Sequence, residues 1–169
     1  MAELKGSKSE ANLYEAFAGE SQANRKYLAF ADKADAEGQK QVAKLFRAAA
    51  AAETVHAHAH LRTAGGINAT ADNLTEAIAG ETEEFTSMYP AMIEDAVSEG
   101  QDAALRSFKF ANEVEKVHAS LYQKAFDNLG NNEDVDYYVC KVCGNTIEGE
   151  PHGPCCVCQA GPVAFFKVD

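Results

Sequence analysis

The feature that most constrains this chain is an internal repeat. Ala16-Phe17-Ala18-Gly19-Glu20-Ser21 returns as Ala77-Ile78-Ala79-Gly80-Glu81-Thr82, an offset of 61. Further along, Glu37-Gly38-Gln39 returns as Glu99-Gly100-Gln101, Phe46-Arg47 as Phe108-Lys109, and Glu53-Thr54-Val55-His56-Ala57 as Glu115-Lys116-Val117-His118-Ala119, all at an offset of 62. Chance resemblance between alanine-rich segments would not keep Glu, Gly, Phe and His in one register. The chain is therefore expected to contain two copies of one structural unit, related by a pseudo-twofold axis.

That unit reads as a helical hairpin. From Ser9 to Leu129 the sequence is rich in Ala, Glu, Lys and Leu and holds a single proline, Pro90. Breaks fall at Glu37-Gly38-Gln39, Gly65-Gly66-Ile67-Asn68 and Glu99-Gly100-Gln101, with N-cap candidates for the third helix between Thr70 and Asn73. Four helices of roughly 24–28 residues, each about 40 Å long, suit an antiparallel bundle with short connections.

The offset changes from 61 to 62 at a definable place. Glu20 to Tyr27 spans seven positions, whereas Glu81 to Tyr89 spans eight, so one residue has been gained near Glu83-Glu84. A single extra residue inside a helix is commonly absorbed as a π-turn, often beside a functional site. Pro90 just beyond it lacks an amide donor. A π-type distortion is predicted within residues 82–90.

Glu53-x-x-His56 and Glu115-x-x-His118 each put a carboxylate and an imidazole on one helix face, since residues three apart are neighbours there. Glu20 and Glu81 add one carboxylate from each remaining helix. One Glu from each of two helices, with a Glu-x-x-His from each of the other two, is the donor pattern of di-iron carboxylate bundles. Four glutamates would offset the charge of two ferrous ions. Glu84, one turn beyond Glu81, has no counterpart in the first helix, where Gln22 and Ala23 align, and is placed to answer the extra charge of oxidation. Buried glutamates without a cation would be too costly. Glu83 and Glu113 are expected to face solvent, His58 to be exposed or packed, and His60 to be structural or to support a ligand rather than to bind metal. Tyr27 and Tyr89 hold matching positions and are read as phenols hydrogen-bonded to ligand carboxylates.

After the polar run Asn128–Asp134 the composition changes. Residues 135–169 hold three of the four prolines and all five cysteines, with strand-like segments at Tyr137-Tyr138-Val139 and Val163-Ala164-Phe165-Phe166. So short a segment cannot build an adequate core and is expected to need a structural metal. Cys140-x-x-Cys143 and Cys155-x-x-Cys158 are two thiolate pairs suited to tetrahedral iron or zinc. Cys156 has no partner at that spacing and is read as a free thiol. The net charge of −11 argues against a nucleic-acid partner. No apolar run approaches a signal peptide or membrane span, and clustered CxxC pairs in such a chain read as metal ligands, so a cytoplasmic location is expected.

Together, Ala16–Asn24, Glu53-x-x-His56, Gly80-Glu81-x-x-Glu84 with Met88-Tyr89-Pro90, Glu115-x-x-His118 and the CxxC pairs resemble the rubrerythrin family over essentially the whole chain. The resemblance implies a mainly α fold: a ferritin-like four-helix di-iron bundle over 1–130, a linker over 131–136, and a small β-rich rubredoxin-like domain over 137–169. It implies that Glu53 and Glu115 bridge two irons, that Glu20 and His56 serve one and Glu81 and His118 the other, and that Glu84 exchanges with His56. One further iron would sit on Cys140, Cys143, Cys155 and Cys158, with zinc a possible substitute in either site. The implied activity is NAD(P)H-linked reduction of hydrogen peroxide to water in oxidative-stress defence, with electrons from a rubredoxin-type or flavoprotein donor, in a homodimer. A ferroxidase or iron-handling role is the alternative. Two departures from the rubredoxin pattern stand out: Cys156 where proline is common, and Gln159 where glycine usually follows the last ligand. If that knuckle needs φ > 0, Gln159 costs about 1 kcal/mol of local strain.

Overall fold

A computed structural model describes residues 4–168. The chain divides into two compact units, one ending at Asn68 and the other starting at Ala69. The class is mainly α, with a small antiparallel sheet near the C-terminus.

The first unit is a hairpin of α1 (Lys8–Ala36) and α2 (Lys40–Ala64). Ser7 caps α1, its hydroxyl accepting from the Glu10 amide at 3.2 Å, while the Glu10 carboxylate accepts from the Gly6 amide at 2.6 Å. This shares two orphan donors between two side chains, in the manner of a capping box. The chain reverses at Gly38, whose φ of 77° lies in the left-handed region that glycine enters without strain. The helices meet along small residues at heptad spacing: Ala43, Ala50 and Ala57 of α2 are buried, as are Asn24 and Ala31 of α1. Alanine at these positions lets two backbones approach closely, since interaxial distance depends on the side chains at the contact. Asn24 locks the seam, its amide donating to the Ala50 carbonyl at 2.7 Å and to the Thr54 hydroxyl at 2.9 Å.

The second unit begins with α3 (Thr70–Glu83), a π-turn (Glu84–Met88) and α4 (Tyr89–Ser98), which run on without a break. The N-cap of α3 is Ala69, which offers no side-chain acceptor, so the expected cap within Thr70–Asn73 is corrected: Thr70 is already helical. The π-turn lies inside the 82–90 window, and the amide of Tyr89 donates to the carbonyl of Glu84, five residues back. Widening the helix here also opens room beside Pro90, whose ring would crowd a regular turn and which has no N–H to donate.

The π-turn restores the register of the repeat. Tyr27 stands 6.2 Å from Phe46 between ring centroids, and Tyr89 stands 6.4 Å from Phe108. Both pairs sit at an offset of 62, so the added residue is absorbed between Glu81 and Tyr89 and everything beyond it faces as it does in the first hairpin.

Helix α5 (Asp102–Asp127) packs against α3 and α4. Beyond it, β1 (Tyr137–Cys140), β2 (Thr146–Glu148) and β3 (Phe165–Val168) form an antiparallel sheet in the order β2-β1-β3. The strand expected over Val163–Phe166 is shifted: Pro162–Ala164 form a single 3₁₀ turn, fitting the fixed φ of Pro162, and the strand starts at Phe165. Strand β2 lies against α5, with Lys124 paired to Glu148 at 2.6 Å. No helix among the described residues is long and apolar enough to cross a membrane.

Candidate metal centres

Each hairpin gathers one carboxylate–imidazole cluster. In the first unit, Glu20 of α1 meets Glu53 and His56 of α2: His56 Nδ1 lies 2.9 Å from Glu53 Oε2 and 3.9 Å from Glu20 Oε1. In the second, Glu81 of α3 meets Glu115 and His118 of α5: His118 Nδ1 lies 2.7 Å from Glu115 Oε2 and 3.5 Å from Glu81 Oε2. Each trio can offer one donor atom apiece within 4.8 Å of the others. The helical spacing does this, since Glu and His three apart share a face and the facing helix brings the second carboxylate.

The electrostatics of the second cluster suit a cation. Burial raises the carboxyl of Glu115 above its ordinary range, and the neighbouring Glu81 raises it further by repulsion and by a shared hydrogen bond, while His118 opposes them. Glu84, at the head of the π-turn, is also raised, first by burial and then by Glu81. Carboxylates converging in a partly desolvated pocket hold protons unless a metal ion replaces them. Donor types and spacing both fit a di-iron carboxylate centre.

The remaining predicted residues divide. His58 and Glu83 are exposed, as is Glu113, and His60 is half-buried and belongs to neither cluster. Tyr27 packs among Phe30 and Phe46. Burial, then Glu115, Glu84 and Glu81, raise the Tyr89 phenol, which places it near the second cluster. Neither phenol makes a hydrogen bond to a carboxylate among the described residues.

Two further residues stand beside the second cluster without belonging to the donor pattern. Tyr122 is raised by burial and by Glu81 and Glu115, from one turn beyond His118 on α5; the spacing from His118 was the signal for it. Thr146, on β2, stands 3.1 Å through its hydroxyl from His118 Nε2. A contact made across 28 residues leaves no local trace in the sequence.

The four cysteines form a compact sulfur cage. Cys140 Sγ and Cys158 Sγ are 3.7 Å apart, and Cys143 Sγ and Cys155 Sγ are 3.5 Å apart. A tetrahedron of metal–sulfur bonds of about 2.3 Å has edges of about 3.8 Å. A disulfide would need about 2.0 Å, and all the cysteines are free thiols. The two knuckles repeat one turn: the Gly144 amide donates to the Cys140 carbonyl at 2.8 Å, and the Gln159 amide to the Cys155 carbonyl at 2.9 Å. Gly144 has φ of 84° and Gln159 φ of 63°, so the second knuckle does demand the left-handed region of a non-glycine residue.

Burial pushes the Cys155 thiol up, but backbone amides of Cys158 and Val157 and the facing thiols outweigh it and set it at about 7. Burial and the surrounding thiols drive Cys143 well up instead, the signature of sulfurs competing for one negative charge until a metal takes all four. Cys156 is exposed and outside the cage, and accepts a weak bond from the buried Asn145 amide at 3.7 Å.

Comparison with known proteins identifies the family. The rubrerythrin family model matches residues 11–126. Rubrerythrin-2 of Clostridium acetobutylicum is 34% identical over 163 residues, covering 86% of this chain and 89% of that protein. Rubrerythrin of Porphyromonas gingivalis is 34% identical over 183 residues, covering 97% and 91%. Among solved structures, partially reduced nigerythrin matches with a TM-score of 0.59 and 32% identity over 95% of this chain and 86% of that one. Fully reduced, all-ferrous nigerythrin matches with a TM-score of 0.59 and 31% identity over 98% and 91%. The chain belongs to the rubrerythrin family, whose members bind a di-iron site and a four-cysteine iron site.

Proposed function

We propose that this protein is a non-haem di-iron peroxidase that reduces hydrogen peroxide to water. One observation carries the reading: the same chain holds paired carboxylate–imidazole clusters and a four-sulfur cage suited to electron transfer. A storage protein that oxidises Fe²⁺ needs no attached reductant centre, so the alternative ferroxidase role leaves the cage unexplained.

In this reading the helical part, 1–130, supplies one catalytic centre, and the tail, 137–169, supplies the electron relay across a linker at 131–136. Glu53 and Glu115 would be shared by the two irons, with Glu20 and His56 serving one and Glu81 and His118 the other. Glu84 would be the carboxylate that replaces His56 when the oxidation state changes. Cys140, Cys143, Cys155 and Cys158 hold the third iron. A di-iron pair bound there would supply two electrons for peroxide reduction, in the balance H₂O₂ + 2e⁻ + 2H⁺ → 2H₂O. Glu20, Glu53, Glu81 and Glu115 would offset the charge of two ferrous ions. The Tyr89 phenol, held protonated by burial and the nearby Glu115, Glu84 and Glu81, would donate to a ligand carboxylate once metal is bound. Tyr27 takes the matching place in the first hairpin.

Electrons would reach the cage from a rubredoxin-type or flavoprotein donor and ultimately from NAD(P)H, in the cytoplasm. A homodimer is consistent with α2, where Leu45 and Val55 are 67% and 63% exposed. Zinc in either site would give an inactive form. Stopped-flow mixing of fully reduced protein with peroxide tests the reading: fast oxidation followed by turnover with a rubredoxin donor is expected. Slow oxidation with iron released or mineralised would favour iron handling. A colourless oxidised protein with zinc at the sulfurs would identify a substituted sample.

A further inference from the structure

The two cluster histidines are held very differently. His56 is 55% exposed, and its Nε2 has no partner among the described residues. His118 is 28% exposed, and its Nε2 lies 3.1 Å from the Thr146 hydroxyl. Thr146 also lies 3.3 Å from the Gly144 carbonyl, to which its hydroxyl donates. A threonine hydroxyl has one proton. If that proton goes to the Gly144 carbonyl, the threonine oxygen is left to accept from His118, which then carries its hydrogen on Nε2. The opposite nitrogen, Nδ1, is the one that faces Glu81 and Glu115.

Thr146 is itself fixed by the cysteine module. It opens β2 in register with Val139, the residue before Cys140, and follows Asn145, whose carbonyl accepts from the Cys140 amide at 2.9 Å. Gly144 follows Cys143 directly, and its left-handed turn leaves its carbonyl facing Thr146. A Cβ at Gly144 would stand 3.9 Å from Val114 of α5, so knuckle and helix are in close approach.

We propose that Thr146 is a positioning residue that pins His118 in the Nε2–H tautomer, presenting Nδ1 to metal, so that one ligand histidine is latched to the cysteine module while the other, His56, is free to leave. This inference rests on the di-iron reading of the clusters and assigns a structural cause to the expected exchange of His56 with Glu84. A hydrogen-bonded outer partner fixes tautomer and ring orientation, and its loss typically weakens metal binding by about 10–100-fold.

The test uses the full chain loaded with zinc, which is diamagnetic in both sites. Long-range ¹H–¹⁵N spectra should show His118 protonated at Nε2, with Hε2 exchanging with solvent more than about tenfold slower than that of His56. Thr146→Val, which keeps the shape and removes the hydroxyl, should lose that protection and raise the chelator sensitivity of the carboxylate site, whereas Thr146→Ser should restore both. The comparison of the two histidines in the unmodified protein needs no variant. Zinc bound at the sulfurs alone would sink the di-iron reading and take this proposal with it. Full loading with a fast-exchanging Hε2 on His118, or Thr146→Val indistinguishable from the parent, would overturn the Thr146 assignment alone.

Discussion

The two hairpins start from nearly the same sequence and end with different mechanical characters. In the first, α1 is an uninterrupted helix, the seam is closed by alanines and Asn24, and His56 stands open to solvent at its distal nitrogen. In the second, the matching helix is interrupted by a π-turn that adds Glu84, and His118 is tied to β2 through Thr146. The difference teaches that a duplicated metal scaffold can divide labour without changing its donor types. On the proposed reading, one copy would supply the ligand that yields, and the other both the ligand that stays and the carboxylate that replaces it.

The largest effect should come from erasing the feature only the second hairpin has. Glu84→Ala should cut kcat for peroxide by about a hundredfold, a transition-state loss of about 2.7 kcal/mol. Helicity by circular dichroism should stay unchanged. Unimpaired turnover would end the idea that the added residue matters to the chemistry.

Next comes the contrast between histidines. Removing the latched ligand, His118→Ala, should weaken ferrous binding at the carboxylate site at least about tenfold more than His56→Ala, because the latched ring loses no entropy on binding. Competition against a chromogenic chelator reads this directly, and equal losses would break the comparison.

A smaller contrast sits between the two knuckles. Gly144 and Gln159 occupy equivalent left-handed positions, so Gln159→Gly should stabilise the chain by about 1 kcal/mol. The melting temperature of the metal-loaded protein should rise by a few degrees. A fall would mean that the Gln159 side chain, which donates to the Cys156 carbonyl at 3.3 Å, outweighs the strain.

The smallest effect is on pH dependence. Glu84 and Glu115 are raised above their ordinary 4.5 in the folded, metal-free chain, so the folded state binds more protons than the unfolded one. Their contribution is fully present below 4.5 and is lost as pH rises through the raised values. Urea denaturation of the metal-free protein should therefore show a stability decrement just above that range which Glu84→Gln and Glu115→Gln each reduce. Metal loading should abolish it.

Much of this was legible in the sequence because the informative patterns are short-range. A Glu and a His three residues apart share a helix face whatever surrounds them, and a change of repeat offset locates an inserted residue without any coordinates. Gly38 and Gly100 punctuate helices for the same local reason. What escaped was decided elsewhere in the chain. Thr146 lies in a three-residue strand with no periodicity of its own, and its meaning depends on α5. Helix α3 starts at Thr70 behind Ala69, an N-cap that lacks the polar side chain local preference favours. The phenols of Tyr27 and Tyr89 could be placed on the right face, but the sequence carries no information about where their hydroxyls point.

The aromatic pairs beyond the π-turn carry a consequence for how such a scaffold can change. One residue inserted into a regular helix turns everything after it by about 100° and displaces it by about 1.5 Å. Here Tyr89 still meets Phe108 as Tyr27 meets Phe46, so the disturbance ends within five residues. The joint behaves as an expansion gap. It lets a lineage rewrite the metal's surroundings on one side while every core contact downstream keeps its address.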